Sequence, residues 1–367
     1  MRALVVHPPT PGVELGEVPD PVAGPGEVLV DVIECGICGT DRDIVEGKYG
    51  RAPDGRDALV LGHENLGRVR AVGDGARGFS AGDLVVATVR RGCGSCRFCR
   101  SNRSDFCETG RFTERGISGR DGYLAASYAD VPEYLVRVPE ELRSAAVLLE
   151  PLSVVEKALE EGGIVLGRRE PTRDPPTRPL RALIAGTGAI GMLAAFRLRS
   201  DGADVTAIDR HGEGTSAATL LREIGARHVD VSAGLASLGQ DRFDMIVEAG
   251  GSATLDLGLW PVLGPNGVLV LTGIPPPDAL PVAVPASRLF RDLVLNNQAL
   301  VGSVNANRTY FERGVRDLAV FRERFGSAID RVIGSRRPLS DHREVLAERA
   351  EGSIKTVLTV GPPSGPR

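Results

Sequence analysis

Cysteine, histidine and glutamate residues recur in the first 150 residues within short motifs that could bind a catalytic metal ion. Cys38 lies in GICGTD, His63 and Glu64 lie in LGHE, and Glu150 lies in LLEPLS. One thiolate, one imidazole and one carboxylate can bind zinc and leave a fourth position for water or a substrate oxygen. We therefore predict a catalytic zinc site at Cys38, His63 and Glu150, which Glu64 or water completes. Each residue alone would also fit a buried structural role.

Two polar residues close to Cys38 could assist such a site. Zinc makes a bound alcohol acidic, which favours the loss of hydride toward a nicotinamide ring. Thr40 lies two residues after Cys38 and could pass the hydroxyl proton outward, and Asp41 could accept a hydrogen bond from the His63 ring. The predicted chemistry is zinc-dependent hydride transfer from an alcohol, in which Cys38, Thr40, His63 and Glu64 form the catalytic group.

Four more of the six cysteines lie within fifteen residues, in GCGSCRFCRSNRSDFC. Cys93, Cys96, Cys99 and Cys107 follow the spacing C-x2-C-x2-C-x7-C, and four thiolates close a tetrahedral zinc site without room for water. An iron–sulfur cluster is the alternative, but no proline follows the last cysteine and no second cysteine set is present. We predict a structural zinc.

A glycine-rich motif in the second half of the chain predicts a dinucleotide site. Gly186, Gly188 and Gly191 form GTGAIG with Ala189 and Ile190, after the apolar segment LRALIA and before a helical pattern. The glycines permit a tight turn, close approach to a pyrophosphate and tight packing of helix on strand. The helix N-terminus also favours negative charge. A nicotinamide dinucleotide is therefore the predicted coenzyme.

Asp209 ends the next apolar strand and bears on the choice of coenzyme. Its carboxylate could accept hydrogen bonds from the adenosine ribose hydroxyls and would repel a 2′-phosphate, which favours NAD. Arg210 and His211 follow at once and could hold a 2′-phosphate if Asp209 swung aside. NADP, or the use of both coenzymes, therefore stays open.

The elements that must position these motifs change character along the chain. Short apolar runs punctuated by Gly, Pro and Asp fill the first ~150 residues and predict a mostly-β domain. The pattern becomes helical from about Ala145 to Leu166 and then enters the Pro- and Arg-rich stretch Gly167–Arg181, which we expect to be an exposed loop. Strands and helices alternate after it, which predicts a doubly wound parallel sheet and an α/β fold.

The end of the chain contains the remaining elements. ALVGSV is the predicted last strand of the parallel sheet, and a helix near Thr309 to Arg324 and the strand IKTVLTV follow. We expect this tail to return to the first domain.

Composition excludes some classes of function. A chain of 367 residues is long enough for two cores, and its net charge of -4 provides no basic field for nucleic acid. No apolar run approaches the ~20 residues of a membrane span, and the N-terminus lacks the zones of a signal peptide. We expect a cytoplasmic protein with no nucleic-acid or membrane partner.

The chain resembles the zinc-containing medium-chain dehydrogenase/reductase superfamily and, within it, the microbial glucose 1-dehydrogenase family. The segments that carry the resemblance span nearly the whole chain. They are GICGTDRDIVEGKYG, LVLGHENLGRV, RRGCGSCRFC with DFCETG, LLEPLSVVEKAL, GTGAIG and VGSVNANRTYFERGV.

The resemblance implies a GroES-like catalytic domain at residues 1–155 with a structural zinc lobe at about 90–112, a Rossmann domain at 156–304, and a return to the first domain at 305–367. It also implies oxidation of an aldose at C1 to the lactone and a homotetramer or homodimer. Thr40, Glu114, Glu150 and Asn305 would contact sugar hydroxyls, and Asn305 could also touch the nicotinamide.

Other functions stay open beside this one. Val89 and Val154 stand where some members of the family have Asn and Asp, so two polar partners for a sugar are absent. A polyol, an amino-cyclitol or another secondary alcohol is therefore the alternative substrate. A protein of a different class, which binds coenzyme or senses redox state without catalysis, is disfavoured because the catalytic group is complete.

Overall fold

The computed structural model describes residues 1–168, 178–276, 279–347 and 353–361, and it forms two compact units. The first unit contains Met1–Ser153, Asn305–Leu318 and Ile333–Arg367, and the second contains Val154–Val304 and Ala319–Val332. The stretch predicted to be an exposed loop falls mostly on residues 169–177, which lie outside the described residues.

The N-terminal part of the first unit is rich in short strands. They are β1 (Arg2–His7), β2 (Thr10–Glu17), β3 (Val28–Ile37), β4 (Leu59–Val60), β5 (Glu64–Val72), β6 (Leu84–Ala87), β7 (Arg90–Arg91), β8 (Thr113–Arg115), β9 (Gly119–Arg120), β10 (Ser127–Asp130) and β11 (Leu135–Arg137). Helices α1 (Gly39–Val45) and α2 (Arg97–Arg100) interrupt them, and α3 (Leu149–Gly167) follows. Most residues of β3 are buried, as expected for a Val- and Ile-rich central strand.

The second unit contains a parallel sheet with intervening helices. Its strands are β12 (Arg181–Ala185), β13 (Asp204–Asp209), β14 (Arg227–Asp230), β15 (Phe243–Glu248), β16 (Leu263–Leu271) and β17 (Ala299–Gly302), and its helices are α4 (Ala189–Ser200), α5 (Ser216–Glu223), α6 (Ala253–Leu259) and α7 (Ala286–Leu295). The strand order β14-β13-β12-β15-β16-β17 is that of a doubly wound Rossmann sheet. The predicted α/β fold is confirmed, with β17 as the last strand.

The C-terminal segment contains α8 (Arg308–Phe325), β18 (Ile333–Pro338), α9 (His342–Ala347) and β19 (Lys355–Thr359). Strand β19 pairs with β3 in the antiparallel sense, so the final strand does return to the first unit. The main sheet of that unit has the order β11-β6-β5-β3-β19-β18, and β10 also pairs with β3.

One part of the tail does not follow the expected division. The sequence predicts that all of 305–367 returns to the first domain, whereas Ala319–Val332 belongs to the second unit. Packing of aromatic rings explains the difference, because the rings of Phe321 and Phe325 lie 5.6 and 5.5 Å from that of Phe196 in α4. The second half of α8 therefore completes the core of the second unit.

Candidate active site

Cys38, His63 and Glu64 come together in the first unit as a group that could hold one metal ion. Their ligand atoms lie within 4.8 Å of one another, and Cys38 Sγ is 3.2 Å from His63 Nε2. His63 and Glu64 are buried, and Cys38 is partly exposed. A cluster of this composition with one accessible side fits a zinc ion that keeps a position for substrate.

The pairing of β3 with β5 brings these residues together. Cys38 follows β3 and caps α1, and its Sγ accepts a hydrogen bond from the Thr40 backbone N–H at 3.2 Å. Gly36 lies opposite Glu64 across the two strands, and a Cβ atom on Gly36 would lie 2.0 Å from Glu64 Oε2. Glycine at position 36 is therefore required for the Glu64 carboxylate to occupy this site.

Asp41 lies where the sequence predicts a partner for the His63 ring. Asp41 is fully buried, its Oδ1 is 3.3 Å from His63 Nδ1, and its Oδ2 accepts the Cys38 backbone N–H at 2.9 Å. Burial alone would lower the pKa of His63, but the negative charges of Cys38 and Asp41 raise that pKa well above its usual value. Because a metal ligand must be neutral imidazole, metal binding at His63 would release a proton.

Glu150 lies outside the compact group that the described residues form. It is in the first turn of α3 and is half-buried. Burial raises the pKa of Glu150 to about 7, while His63 lowers it and Glu64 raises it. A carboxyl group with this pKa could accept a proton near neutral pH or bind a metal ion, so the predicted ligand role stays a prediction.

Lys355 belongs to the same cluster and was not predicted from the sequence. Its Nζ atom donates to Glu64 Oε1 at 2.6 Å and to the Ile37 carbonyl at 3.2 Å, and the side chain is buried. Burial opposes the charged lysine, but the charges of Glu64 and Cys38 raise the pKa of Lys355 above its usual value. A lone lysine in the apolar strand IKTVLTV was the one available signal.

The four other cysteines form a second group whose ligand atoms also lie within 4.8 Å of one another. Backbone N–H groups of Cys96 and Cys99 donate to the sulfurs of Cys93 and Cys96, at 3.4 and 3.5 Å. Hydrogen bonds from Ser95 and Thr109 help to lower the pKa of Cys93 to about 5. Four sulfurs without an open position fit a structural zinc.

The glycine-rich loop of the second unit has the geometry that a pyrophosphate needs. Gly186 has a φ of 101°, and a Cβ atom on Gly191 would lie 1.8 Å from the Gly186 carbonyl oxygen. Gly188 is the N-cap of α4, whose first two residues are Ala189 and Ile190. No side chain makes a capping hydrogen bond at this helix N-terminus. The first N–H groups of α4 therefore stay available to an anion.

Three donors of the second unit hold the Asp209 carboxylate at the end of β13. The Thr187 hydroxyl donates to Oδ2, the His211 backbone N–H donates to Oδ1 at 2.7 Å, and His228 Nε2 lies 3.3 Å from Oδ1. The swing that 2′-phosphate binding at Arg210 would require must break these contacts. Neither Thr187 nor His228 was predicted from the sequence, although Thr187 lies within the glycine motif.

Two of the predicted sugar contacts lie side by side in the first unit. Asn305 Nδ2 donates to Glu114 Oε1 at 2.7 Å, and the two residues are 191 positions apart. Asn305 adopts a left-handed backbone conformation with a φ of 60°, which asparagine tolerates better than most residues. Thr40 is partly exposed in the first turn of α1.

Among the helices of the described residues, none has both the length and the apolar composition that a membrane span requires.

Comparison with protein families gives two matches. The family model described as "Glucose dehydrogenase C-terminus" matches residues 143–360, and that described as "Alcohol dehydrogenase GroES-like domain" matches residues 24–140.

Comparison with single proteins gives relatives that match along nearly their whole length. A glucose 1-dehydrogenase of Methanocella arvoryzae is 39% identical over 94% of this chain and 95% of its own, and glucose 1-dehydrogenase 1 of Caldivirga maquilingensis is 41% identical over 99% of both. Among solved structures, the Haloferax mediterranei glucose dehydrogenase in complex with NADP, Zn and gluconolactone superposes with a TM-score of 0.87. It is 29% identical, over 99% of this chain and 100% of that one.

Proposed function

The chain belongs to the glucose dehydrogenase family of zinc-dependent medium-chain dehydrogenases, and from that premise we propose that it oxidises glucose or a related aldose at C1 to the lactone. The hydride acceptor is a nicotinamide dinucleotide. The observation that carries the proposal is the cluster of Cys38, His63 and Glu64, which offers three different zinc ligands on a partly exposed face.

The residues at this cluster would have different roles in the reaction. Cys38 and His63 would hold a zinc ion together with Glu64 or Glu150, and the bound ion would supply a Lewis acid that makes a substrate hydroxyl acidic. Asp41 orients the His63 ring through Nδ1. We propose that the Thr40 hydroxyl relays the substrate proton outward, because the backbone N–H of Thr40 bonds to Cys38 Sγ and keeps the residue next to that ligand.

The coenzyme would bind at the glycine loop of the second unit, where the N-terminus of α4 would hold its pyrophosphate and its nicotinamide would accept hydride. The three donors on Asp209 support NAD as the favoured coenzyme. A carboxylate oxygen pair has about four acceptor positions, so the three contacts leave about one for a ribose hydroxyl.

Replacement of Asp209 by alanine is expected to raise kcat/KM for NADP relative to NAD by about tenfold or more, because the charge that repels a 2′-phosphate is lost. Steady-state kinetics with both coenzymes measures the ratio. Asp230→Ala is the matched control, since Asp230 is an aspartate that lies opposite Asp209 in the register of the neighbouring strand β14. A native protein that already prefers NADP strongly would show that the role given to Asp209 is wrong.

Glu114 and Asn305 are the proposed contacts for sugar hydroxyls, together with Thr40 and Glu150. Val89 is fully apolar and lies in the hydrophobic core of the first unit, so it offers no hydrogen bond to a sugar. A polyol or another secondary alcohol is therefore the second candidate substrate. The test is a panel of aldoses and polyols with the zinc-loaded protein, followed by absorbance of the reduced coenzyme. Activity on polyols with every aldose inert would favour the second candidate.

We further propose that the chain assembles with copies of itself along the edge of the Rossmann sheet, in a dimer or in a tetramer built from such dimers. Among the strands of the described residues, β17 is at the edge of that sheet, and none of the residues of α7 is buried. Exposed apolar side chains gather on these elements, among them Phe290 (60%), Val294 (72%), Leu295 (63%) and Leu300 (52%). An unpaired apolar edge strand is self-complementary, because a second copy can pair with it in the antiparallel sense.

The unpaired thiols of both cysteine groups support a reducing, cytoplasmic location.

The double variant Phe290→Asp/Leu300→Asp is expected to be a monomer, because two charges from each copy would be buried at the interface. Light scattering after size-exclusion chromatography gives the mass. Val22→Asp is the control, since Val22 is exposed (81%) in the first unit. A native chain that is itself monomeric would contradict the proposed interface.

A further inference from the structure

The lobe that contains the four cysteines begins and ends close to the proposed sugar contacts. Arg90 lies three residues before Cys93, and Asp105 lies two residues before Cys107. The chain between Arg90 and Cys93 runs against the sulfur cluster, because a Cβ atom on Gly92 would lie 2.5 Å from Cys99 Sγ. The backbone next to Arg90 is therefore packed against the cysteine group, and the same Cβ atom on Gly92 would lie 3.0 Å from Cβ of Ser104, the residue before Asp105.

Arg90 connects the lobe with Glu114. Its Nε and Nη2 atoms donate to Glu114 Oε1 at 3.1 and 3.0 Å, and its Nη1 atom donates to the Asp105 carbonyl at 2.9 Å. The guanidinium group also lies 4.0 Å from the centre of the Phe112 ring. Both Arg90 and Glu114 are buried, with 9% and 6% of their surface exposed. Contacts with the lobe thus hold the Arg90 guanidinium group in place, and the guanidinium group in turn holds the Glu114 carboxylate.

Asp105 makes a second connection, to the segment that contains Asn305. Asn307 Nδ2 donates to Asp105 Oδ1 at 2.9 Å, and Asn307 Oδ1 accepts the Thr309 backbone N–H at 2.9 Å. Asn307 is therefore both the cap of α8 and a contact of the lobe. It lies two residues after Asn305, so the lobe also restrains the position of the second sugar contact.

The donors converge on one oxygen of Glu114. Two come from Arg90 and one from Asn305, and all three bond to Oε1, whereas no donor of the described chain bonds to Oε2. Oε1 is saturated by these contacts, so Oε2 is the oxygen left to accept a hydroxyl. The positive charge of Arg90 also neutralises Glu114, which suits an uncharged, polyhydroxylated substrate.

We propose that Arg90 and Asp105 are positioning residues through which the four-cysteine lobe orients Glu114 and Asn305 toward a sugar. The lobe then acts on substrate binding as well as on folding. This inference rests on the proposed function, because it takes Glu114 and Asn305 as the sugar contacts.

The first test compares Arg90→Met with Arg115→Met. Arg115 is the residue after Glu114 and is buried, with 6% of its surface exposed against 9% for Arg90. It bonds to Asp130, to the Asp121 carbonyl and to the Ala129 carbonyl, none of which is a proposed sugar contact. Arg90→Met is expected to raise KM for glucose about tenfold or more with KM for coenzyme within about twofold, because the orientation of Glu114 is lost. Arg115→Met is expected to lower Tm without this selective change.

The second test perturbs the lobe with smaller changes, in case the methionine variants do not fold. Asn307→Ser keeps a cap for α8 but loses the donor to Asp105, Arg90→Lys keeps the charge with one contact, and Cys107→Ser removes one sulfur. Metal content measured by atomic emission should fall in Cys107→Ser, and all three variants should raise KM for glucose more than KM for coenzyme, with Arg90→Lys the mildest.

The outcomes separate this inference from the proposed function. If the native protein oxidises no aldose, the proposed function fails. If the native protein oxidises glucose but folded Arg90→Met or Asn307→Ser keeps its KM for glucose, the positioning role is wrong. Loss of lobe metal in Cys107→Ser with an unchanged KM for glucose would likewise overturn the role of the lobe.

Discussion

The Cys38→Ala variant is expected to lose at least about three orders of magnitude in kcat for glucose, because the Lewis acid at the substrate hydroxyl contributes several kcal/mol. It is also expected to contain one zinc ion per chain in place of the two that the cysteine-containing groups can hold. The remaining ion should be the one at the four-cysteine group, because Cys38 is not a member of that group. Zinc content by atomic emission and steady-state kinetics measure the two effects on one preparation.

Cys35→Ala provides the matched control for that variant. Cys35 is fully buried, three positions before Cys38, and its thiol donates to the Gly36 carbonyl at 3.7 Å, while its sulfur is not one of the clustered ligand atoms of Cys38, His63 and Glu64. Its removal leaves a small cavity that should cost about 1 kcal/mol of stability without loss of zinc. Retention of both zinc ions and of full activity in Cys38→Ala would remove the catalytic-zinc account.

Lys355→Met is expected to lower kcat by about 10- to 100-fold, the range found when a residue that orients a metal ligand is lost. Glu64 would keep its negative charge in a buried position without the cation that lies 2.6 Å away. The metal-free protein should also be less stable, because a buried charge without its partner costs about 3–5 kcal/mol. Chelator competition reports zinc affinity, thermal unfolding reports stability, and kinetics reports kcat.

Lys355→Arg distinguishes a role of the positive charge from a general effect on packing. Arginine keeps the cation, so this variant should retain activity within about tenfold. A purely structural lysine would behave differently, since both variants would then lower Tm while zinc affinity stayed at the native value.

Much of the fold could be predicted from local patterns. The glycine spacing of GTGAIG and the alternation of strands with helices indicate a Rossmann sheet, because each strand and each turn is decided by neighbouring residues. The cysteines at 93, 96, 99 and 107 were equally accessible to prediction, since one ion binds residues that are close in sequence. The placement of Ala319–Val332 was not, because it depends on aromatic packing between distant helices.

The candidate site could be predicted only in part, for a related reason. Cys38 and His63 lie in recognisable motifs, but the contact of Lys355 with Glu64 joins positions 291 residues apart and depends on how β19 pairs with β3. The contact between Glu114 and Asn305 spans 191 residues and was inferred only through resemblance. Thr187 follows β12 and His228 lies in β14, and both reach Asp209 because these strands pair with β13 in a register that periodicity alone does not determine.

The proposed function requires that hydride leaves C1 of an aldose. Glucose that carries deuterium only at C1 tests it directly, when the reduced coenzyme and the sugar product are analysed by mass spectrometry after turnover by the zinc-loaded protein. We expect one deuterium in each reduced nicotinamide and a lactone, or its hydrolysed acid, without deuterium. Reduced coenzyme without deuterium, or a product that keeps the label at C1, would contradict the account.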